Sequence, residues 1–305
     1  MASAISRRFV RRALGVSLLV AATASLLSAE QKLLLWEAKG EHGKAYLFGS
    51  VHTAKADMYP LNPAIEQAYT SADKLVVEVN MNAVDQQAIS AKTMKLGVNF
   101  DGTTLADALP PEELEALKKF CTERGLPFAA LNIMKPWLAA MTLAIMEYQR
   151  QGYDFNLGLD RHFLKQAAES GKEVVQLESA DFQLDMLSSF SQELQTKFVI
   201  YSIRELDDVT DNVEALMSAW RSGDAGKLEE LMLDMGQSND AELEPIHKAM
   251  FTDRNHAMEE KIAAMIEQGG TYFVVVGAGH LISEEGVVSL LRQDGRFKVS
   301  QVEAQ

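Results

Sequence analysis

The sequence predicts an α/β fold: a mostly parallel central sheet flanked by helices, with a large helical insertion. Three observations predict it. Short continuous apolar runs such as Leu75-Val76-Val77 and Phe273-Val274-Val275-Val276 are the pattern of strands buried on both faces. These runs alternate with amphipathic helical segments. Between Asp181 and Gln268 there is almost no strand signal, so about eighty residues read as helix.

The elements follow in order. Leu33–Ala38 and Ala45–Gly49 flank a Gly/His/Gly turn and read as a β-hairpin, with His42 solvated in the turn. Asn62–Ala72 is helical, with Pro63 suited to a first turn. Lys74–Val79 is a buried-type strand. Helices are expected over 83–96, 110–125, Lys135–Gln151 and Leu159–Ser170, the last ending at Gly171 as a C-cap. Glu173–Glu178 is a further strand. After the helical stretch come the strand Thr271–Gly277, a helix over Ser283–Gln293 and a short strand around Phe297–Val299. No linker composition divides residues 30–305, which read as one domain with the insertion at about 181–268.

Composition narrows the function classes. The chain has 305 residues and a formal net charge of −14. No Lys/Arg-rich stripe follows the N-terminus, so nucleic acid and anionic lipid are excluded as expected partners. Cys121 is the single cysteine. It rules out an intrachain disulfide and multi-cysteine metal sites, and reads as a small buried side chain. The 14 methionines read as core filler, not a cofactor box.

Residues 1–29 read as a signal peptide. Arg7, Arg8, Arg11 and Arg12 precede the apolar run Ala13–Ala22, and Ala22-Thr23-Ala24 is an Ala-x-Ala cleavage pattern. The run is short for a membrane span. The expected location is therefore periplasmic or secreted, with no stable membrane anchor after cleavage and a membrane-anchored form if the segment is retained.

In a parallel sheet, ligands sit beyond the carboxyl ends of the strands, and four strands carry polar residues there. Two end in the same way: Gly49-Ser50-Val51-His52 and Gly277-Ala278-Gly279-His280. In each, a glycine that permits a tight turn precedes a histidine three residues on. Two such turns more than two hundred residues apart point to one site. Glu78 interrupts an apolar run, and a buried carboxylate needs a cation, a metal or strong donors. Glu178 ends its strand in a similar way.

Two imidazoles and a carboxylate suit a divalent metal such as Mn²⁺, Co²⁺ or Zn²⁺, with open positions for water. The same residues also allow a metal-free route, in which one His takes a proton and the other stabilises an oxyanion. His52, Glu78 and His280 are the candidate catalytic and metal-binding residues. Arg254 joins them as a clamp for a glutamate or a substrate carboxylate, although its sequence surroundings alone better fit a solvated helix face. Asp160, Glu178 and Asn255 are candidate substrate-binding residues. His162 and His247 read as structural. The Gly-x-Ser-x-Gly, His-Glu-x-x-His and phosphate-loop motifs are absent.

The chain resembles the TraB/GumN family of exported bacterial proteins, related to the Tiki metalloproteases and more distantly to erythromycin-esterase-like and ChaN-like proteins. The resemblance rests on Leu47–His52 followed by Tyr59-Pro60-Leu61, on Val76-Val77-Glu78, Gly158-Leu159-Asp160 and Arg254-Asn255, and on Val276–Leu281. It implies an α/β fold with both Gly-x-x-His motifs at one site. It also implies a metal-dependent hydrolase acting on peptides or small molecules. The more distant relatives imply haem or iron binding as an alternative, and the family's name implies a non-catalytic regulatory role as another.

Overall fold

The computed structural model describes residues 31–204, 209–236 and 242–305. The signal-peptide reading of residues 1–29 lies outside the described residues.

Six strands form one sheet: β1 (Lys32–Lys39), β2 (Gly43–Ser50), β3 (Lys74–Val77), β4 (Glu173–Gln176), β5 (Gly270–Gly277) and β6 (Lys298–Glu303). Their spatial order is β4-β3-β5-β2-β1-β6. The run β4-β3-β5-β2 is parallel, while β1 pairs antiparallel with both β2 and β6. The sheet is thus mostly but not wholly parallel, with the predicted hairpin and the C-terminal strand forming its antiparallel side.

Alternation along the strands sends apolar side chains to both faces, which is why the runs are continuous in sequence. On one face Leu34, Trp36, Leu47, Val274 and Val276 pack against the helices Asp253–Gln268 and Val287–Asp294. On the other, Leu35, Phe48, Leu75, Phe273 and Val275 pack against Pro63–Ser71 and Leu159–Ser170. Phe48, Phe163 and Phe273 meet with ring centroids 4.8–5.9 Å apart.

The helix Pro63–Ser71 starts where Asn62 caps it, its side chain accepting from the Ala64 N–H at 3.0 Å, with Pro63 supplying the preset φ of a first turn. Leu159–Ser170 has the predicted bounds and stops at Gly171, whose φ of 71° is left-handed.

One expectation needs correction. β3 stops at Val77, so Glu78 lies just past the strand instead of interrupting it. An apolar run shows burial but not where strand pairing ends. The stretch over 181–268 is helical among its described residues, as expected, and its helices pack in different places. Its helix Gln192–Arg204 joins the earlier helices Pro111–Arg124 and Pro136–Arg150 in a separate cluster through Leu117, Phe120, Cys121, Leu143, Val199 and Ile203. Its last helix, Asp253–Gln268, packs on the sheet instead. Helical periodicity predicts an apolar stripe but not the surface that the stripe will cover. Cys121 is a buried free thiol in the separate cluster.

Candidate functional site

Parallel pairing puts the carboxyl ends of β2, β3, β4 and β5 on one edge. Ser50 pairs with Gly277, Val77 with Val275 and Val77 with Gln176. His52, Glu78, Glu178 and His280 all follow those ends, so their proximity comes from the sheet register.

His52, Glu78 and His280 converge over Gly277. A Cβ built on Gly277 would stand 3.3 Å from Glu78 Oε1, 3.6 Å from His52 Nε2 and 3.6 Å from the His280 ring. Glycine here leaves room where any other residue would place carbon among all three groups.

Glu78 is nearly buried, and its charge is met on both oxygens. The Gly277 N–H donates to Oε1 at 2.6 Å, and Arg254 Nη2 donates to Oε2 at 2.8 Å. Arg254 also donates to Glu178, from Nε at 2.9 Å and from Nη2 at 2.8 Å. One guanidinium therefore bridges two carboxylates in the planar geometry that lysine lacks. Its Nη1 donates to the Met250 carbonyl at 2.9 Å. Met250 lies in a π-helical turn, Lys248–Thr252, that leads into Asp253–Gln268. Arg254 follows that turn in the first turn of Asp253–Gln268 and is buried. Arg254 is thus not on a solvated helix face.

Asn255, the next residue, fixes His280. Its Nδ2 donates to the Glu285 carbonyl at 2.9 Å, so its Oδ1 must face the imidazole. His280 Nδ1 lies 2.7 Å from that oxygen and is therefore the protonated nitrogen. The lone pair of Nε2 is left toward the site, 3.8 Å from Glu78 Oε2. His52 has a looser counterpart: its Nδ1 stands 3.6 Å from Asp160 Oδ1, and its Nε2 faces Gly277. Asp160 Oδ1 is buried with no hydrogen-bond partner, as are the hydroxyl oxygens of Ser50 and Thr53 on either side of the His52 turn.

The chain path around His52 depends on Gly158. The Leu159 N–H donates to the Val51 carbonyl at 3.0 Å, and a Cβ on Gly158 would fall 2.3 Å from the His52 carbonyl oxygen. Gly158→Ala is expected to push the Asp160 turn away from His52 and to cost about 1–3 kcal/mol. Urea unfolding checks this; an unchanged midpoint contradicts the close approach.

The electrostatics separate the three groups. For Glu78, burial favours the neutral acid, but His280, His52 and Arg254 together with the Gly277 N–H outweigh it and bring the pKa down to about 2. For His280, burial dominates and lowers the pKa to about 4, with Glu78 opposing and Arg254 assisting. For His52, burial of the ring's inner side opposes protonation. The nearby Asp160 and Glu78 carboxylates overcome it and raise the pKa to about 9. The His52 side chain remains 58% exposed, so it is the site's solvent-facing group.

All seven sequence-predicted residues lie in this one cluster. Asp160, Glu178 and Asn255, expected to contact substrate, lie against His52, Arg254 and His280. Gln183 was not anticipated. It donates to Glu78 at 3.4 Å and to Glu178 at 3.1 Å from the helix Ala180–Ser189. Nothing in its sequence surroundings distinguishes it from any exposed helical glutamine. His162 sits away from the site beside Glu66 and Gln166, and His256 is exposed.

Among the described residues, no group of three or more His, Cys, Asp or Glu side chains stands in an arrangement that could hold a metal ion. Nor is any helix among them long and apolar enough to cross a membrane.

Comparison with known proteins identifies relatives of this chain. The chain is 25% identical over 260 residues to "Uncharacterized protein YbaP" of Shigella flexneri, covering 81% of this chain and 88% of that one. It is 25% identical over 259 residues to the protein of the same name from Escherichia coli (strain K12), covering 81% and 87%. No solved structure matches. Residues 34–301, which include the parallel strands and both Gly-x-x-His turns, match the TraB/PrgY/gumN family. The chain belongs to the TraB/PrgY/gumN family.

Proposed function

We propose that this protein is a hydrolase of peptide bonds, and that His52, Glu78 and His280 form its reactive site around a divalent metal such as Mn²⁺, Co²⁺ or Zn²⁺. The observation that carries the reading is the convergence of the three side chains within 3.6 Å of one point over Gly277.

The donor set fits a metal in its chemistry. Each imidazole has Nδ1 turned to an oxygen acceptor, Asn255 for His280 and Asp160 for His52, which leaves Nε2 as the inward donor atom. Metal-binding histidines are commonly oriented by such outer partners. Glu78 keeps lone pairs beyond those used by Gly277 and Arg254. A divalent ion there would supply acidified water and carbonyl polarisation. The chain's own residues do the rest: Asn255 holds the proton on His280 Nδ1, Arg254 holds the Glu78 carboxylate in place, and Asp160 aims His52. Peptide as the substrate class comes from the resemblance to the Tiki proteases. A periplasmic or secreted location belongs to the same proposal, after loss of residues 1–29.

A second reading is favoured by the opposite shifts of the two histidines, toward about 4 for His280 and about 9 for His52. Two titratable groups driven apart are the signature of an acid and base pair. Neutral His280 would then accept a proton through Nε2, and cationic His52 would stabilise an oxyanion, without a metal.

Hydrolysis of a casein digest, with added Mn²⁺, Co²⁺ or Zn²⁺ and with chelator, tests both. Activity is expected to fall on the order of 10²–10⁴-fold in His280→Ala and His52→Ala. Activity that survives chelator selects the metal-free route. Wild-type rates in both variants would refute the proposal.

A further inference from the structure

The helix Ala180–Ser189 carries Gln183 into contact with both site carboxylates, yet none of its own residues is fully buried. It is held from outside by Lys92, which pairs with Asp181 at 2.7 Å and Asp185 at 2.9 Å. Phe182 and Met186, four residues apart, share one face. Phe182 is left 47% exposed, unusual for so large an apolar side chain.

That face lines a cavity of about 600 Å³, within the ~300–1,000 Å³ range of ligand pockets. Leu177, Phe182, Met186 and Ala257 supply apolar walls, and Glu178 and Arg254 form the end shared with the site. The guanidinium that closes this end is the one that holds Glu78 at 2.8 Å. The cavity and the site are therefore two sides of one partition.

The charges around the cavity are already engaged. Arg254 is paired with Glu178, Asp253 with Lys248, and Lys261 Nζ donates to the Leu177 carbonyl. The lining residues are two acids and two bases, so the cavity presents no unbalanced charge to select an ionic group. With two acids set against two bases, a charged occupant would lose hydration for little net electrostatic gain. An apolar one covers Phe182 and Met186 and gains the burial of that surface.

We propose that this cavity is the specificity subsite of the hydrolase proposed above, receiving a large uncharged apolar side chain of a peptide substrate next to the bond at the His52–Glu78–His280 site. The subsite rests on that reading for its role, but its occupant class follows from the cavity alone.

The test separates the two. Binding of the neutral fluorophore N-phenyl-1-naphthylamine to the purified protein is measured for wild type, Ala257→Trp, Met186→Trp and His280→Ala, with circular dichroism confirming the fold. Ala257 is exposed on the cavity wall, so tryptophan there fills the space without entering the core. Wild type and His280→Ala should bind alike, and at least one tryptophan variant that retains the fold should bind at least tenfold more weakly. Cleavage sites in a casein digest should be enriched in Phe, Leu or Met at one position beside the scissile bond, and Ala257→Trp should lose that enrichment. Absence of probe binding, equal binding in both tryptophan variants, or cleavage beside charged or small residues would overturn the subsite. Probe binding as expected without any hydrolysis would support the occupant class and overturn the hydrolytic reading instead.

Discussion

Replacing Arg254 by methionine is expected to destabilise the fold by about 3–5 kcal/mol, the range for removing one partner of a buried ion pair. The side chains of Arg254, Glu78 and Glu178 are each no more than 10% exposed, and one guanidinium serves both carboxylates. Methionine preserves much of the volume, so the loss isolates charge from packing. Without the cation, two carboxylates remain in a poorly solvated site, and one should hold its proton well above the ordinary carboxylate range. The sign of the pH dependence then reverses locally. In wild type Glu78 is depressed to about 2, so its contribution is present above about 4.5 and is lost as pH falls through 2. In Arg254→Met the folded state binds the extra proton, so stability should rise as pH falls toward 5. Urea unfolding at pH 7 and pH 5 reads both effects. A loss under about 1 kcal/mol at pH 7, with no recovery at pH 5, would contradict the bridging role.

The second large effect lies in the two histidines. His280 is held to about 4 against 6.5 in the unfolded chain. Between these values the unfolded chain carries a proton that the folded chain rejects, so stability falls as pH drops from about 6.5 to 4. The full effect is on the order of 3 kcal/mol. His52 works in the opposite direction. Its pKa is raised to about 9, so its contribution is fully present below about 6.5 and is lost as pH rises through 9. Solvent screening reduces that contribution, because the side chain is largely open. Stability should therefore peak near pH 6.5. Nitrogen-15 NMR titration should show one histidine titrating near 4 as the Nδ1–H tautomer and another near 9. Asn255→Leu removes the acceptor at 2.7 Å and should mix the tautomers of His280 while leaving His52 unchanged. Two site histidines both titrating near 6.5 would contradict the electrostatic account.

Much of this arrangement was legible in the amino-acid order, and the remainder was hidden for identifiable reasons. The two Gly-x-x-His turns and Glu78 could be found because each follows an apolar run, and a parallel sheet brings the carboxyl ends of such runs to one edge. Their grouping needed only the topology. Arg254 and Asn255 could be named as candidates, but their burial and their partners could not be read. Adjacent polar residues on a helix do not show which face is buried, and Arg254 meets Glu78 from 176 positions away. The roles of Asp160, Glu178 and Asn255 were also hidden. A polar residue near a site has the same sequence appearance whether it faces a substrate or a neighbouring side chain. The extent of β3 was overestimated because Val79 resumes the apolar pattern beyond Glu78, although the strand ends at Val77. The divided destination of the helices between 181 and 268 was not legible either, since periodicity records a stripe and not its partner.

The central claim is that His52, Glu78 and His280 act as one metal-holding site. Isothermal titration of chelator-treated protein with Mn²⁺, Co²⁺ and Zn²⁺ tests it most directly, comparing wild type with His52→Ala, His280→Ala and the double variant. The account predicts about one ion per wild-type chain and at least tenfold weaker binding in either single variant, in line with the ~10–100-fold cost of disturbing even an outer partner of a metal ligand. No binding by wild type, or equal binding by wild type and the double variant, would contradict it.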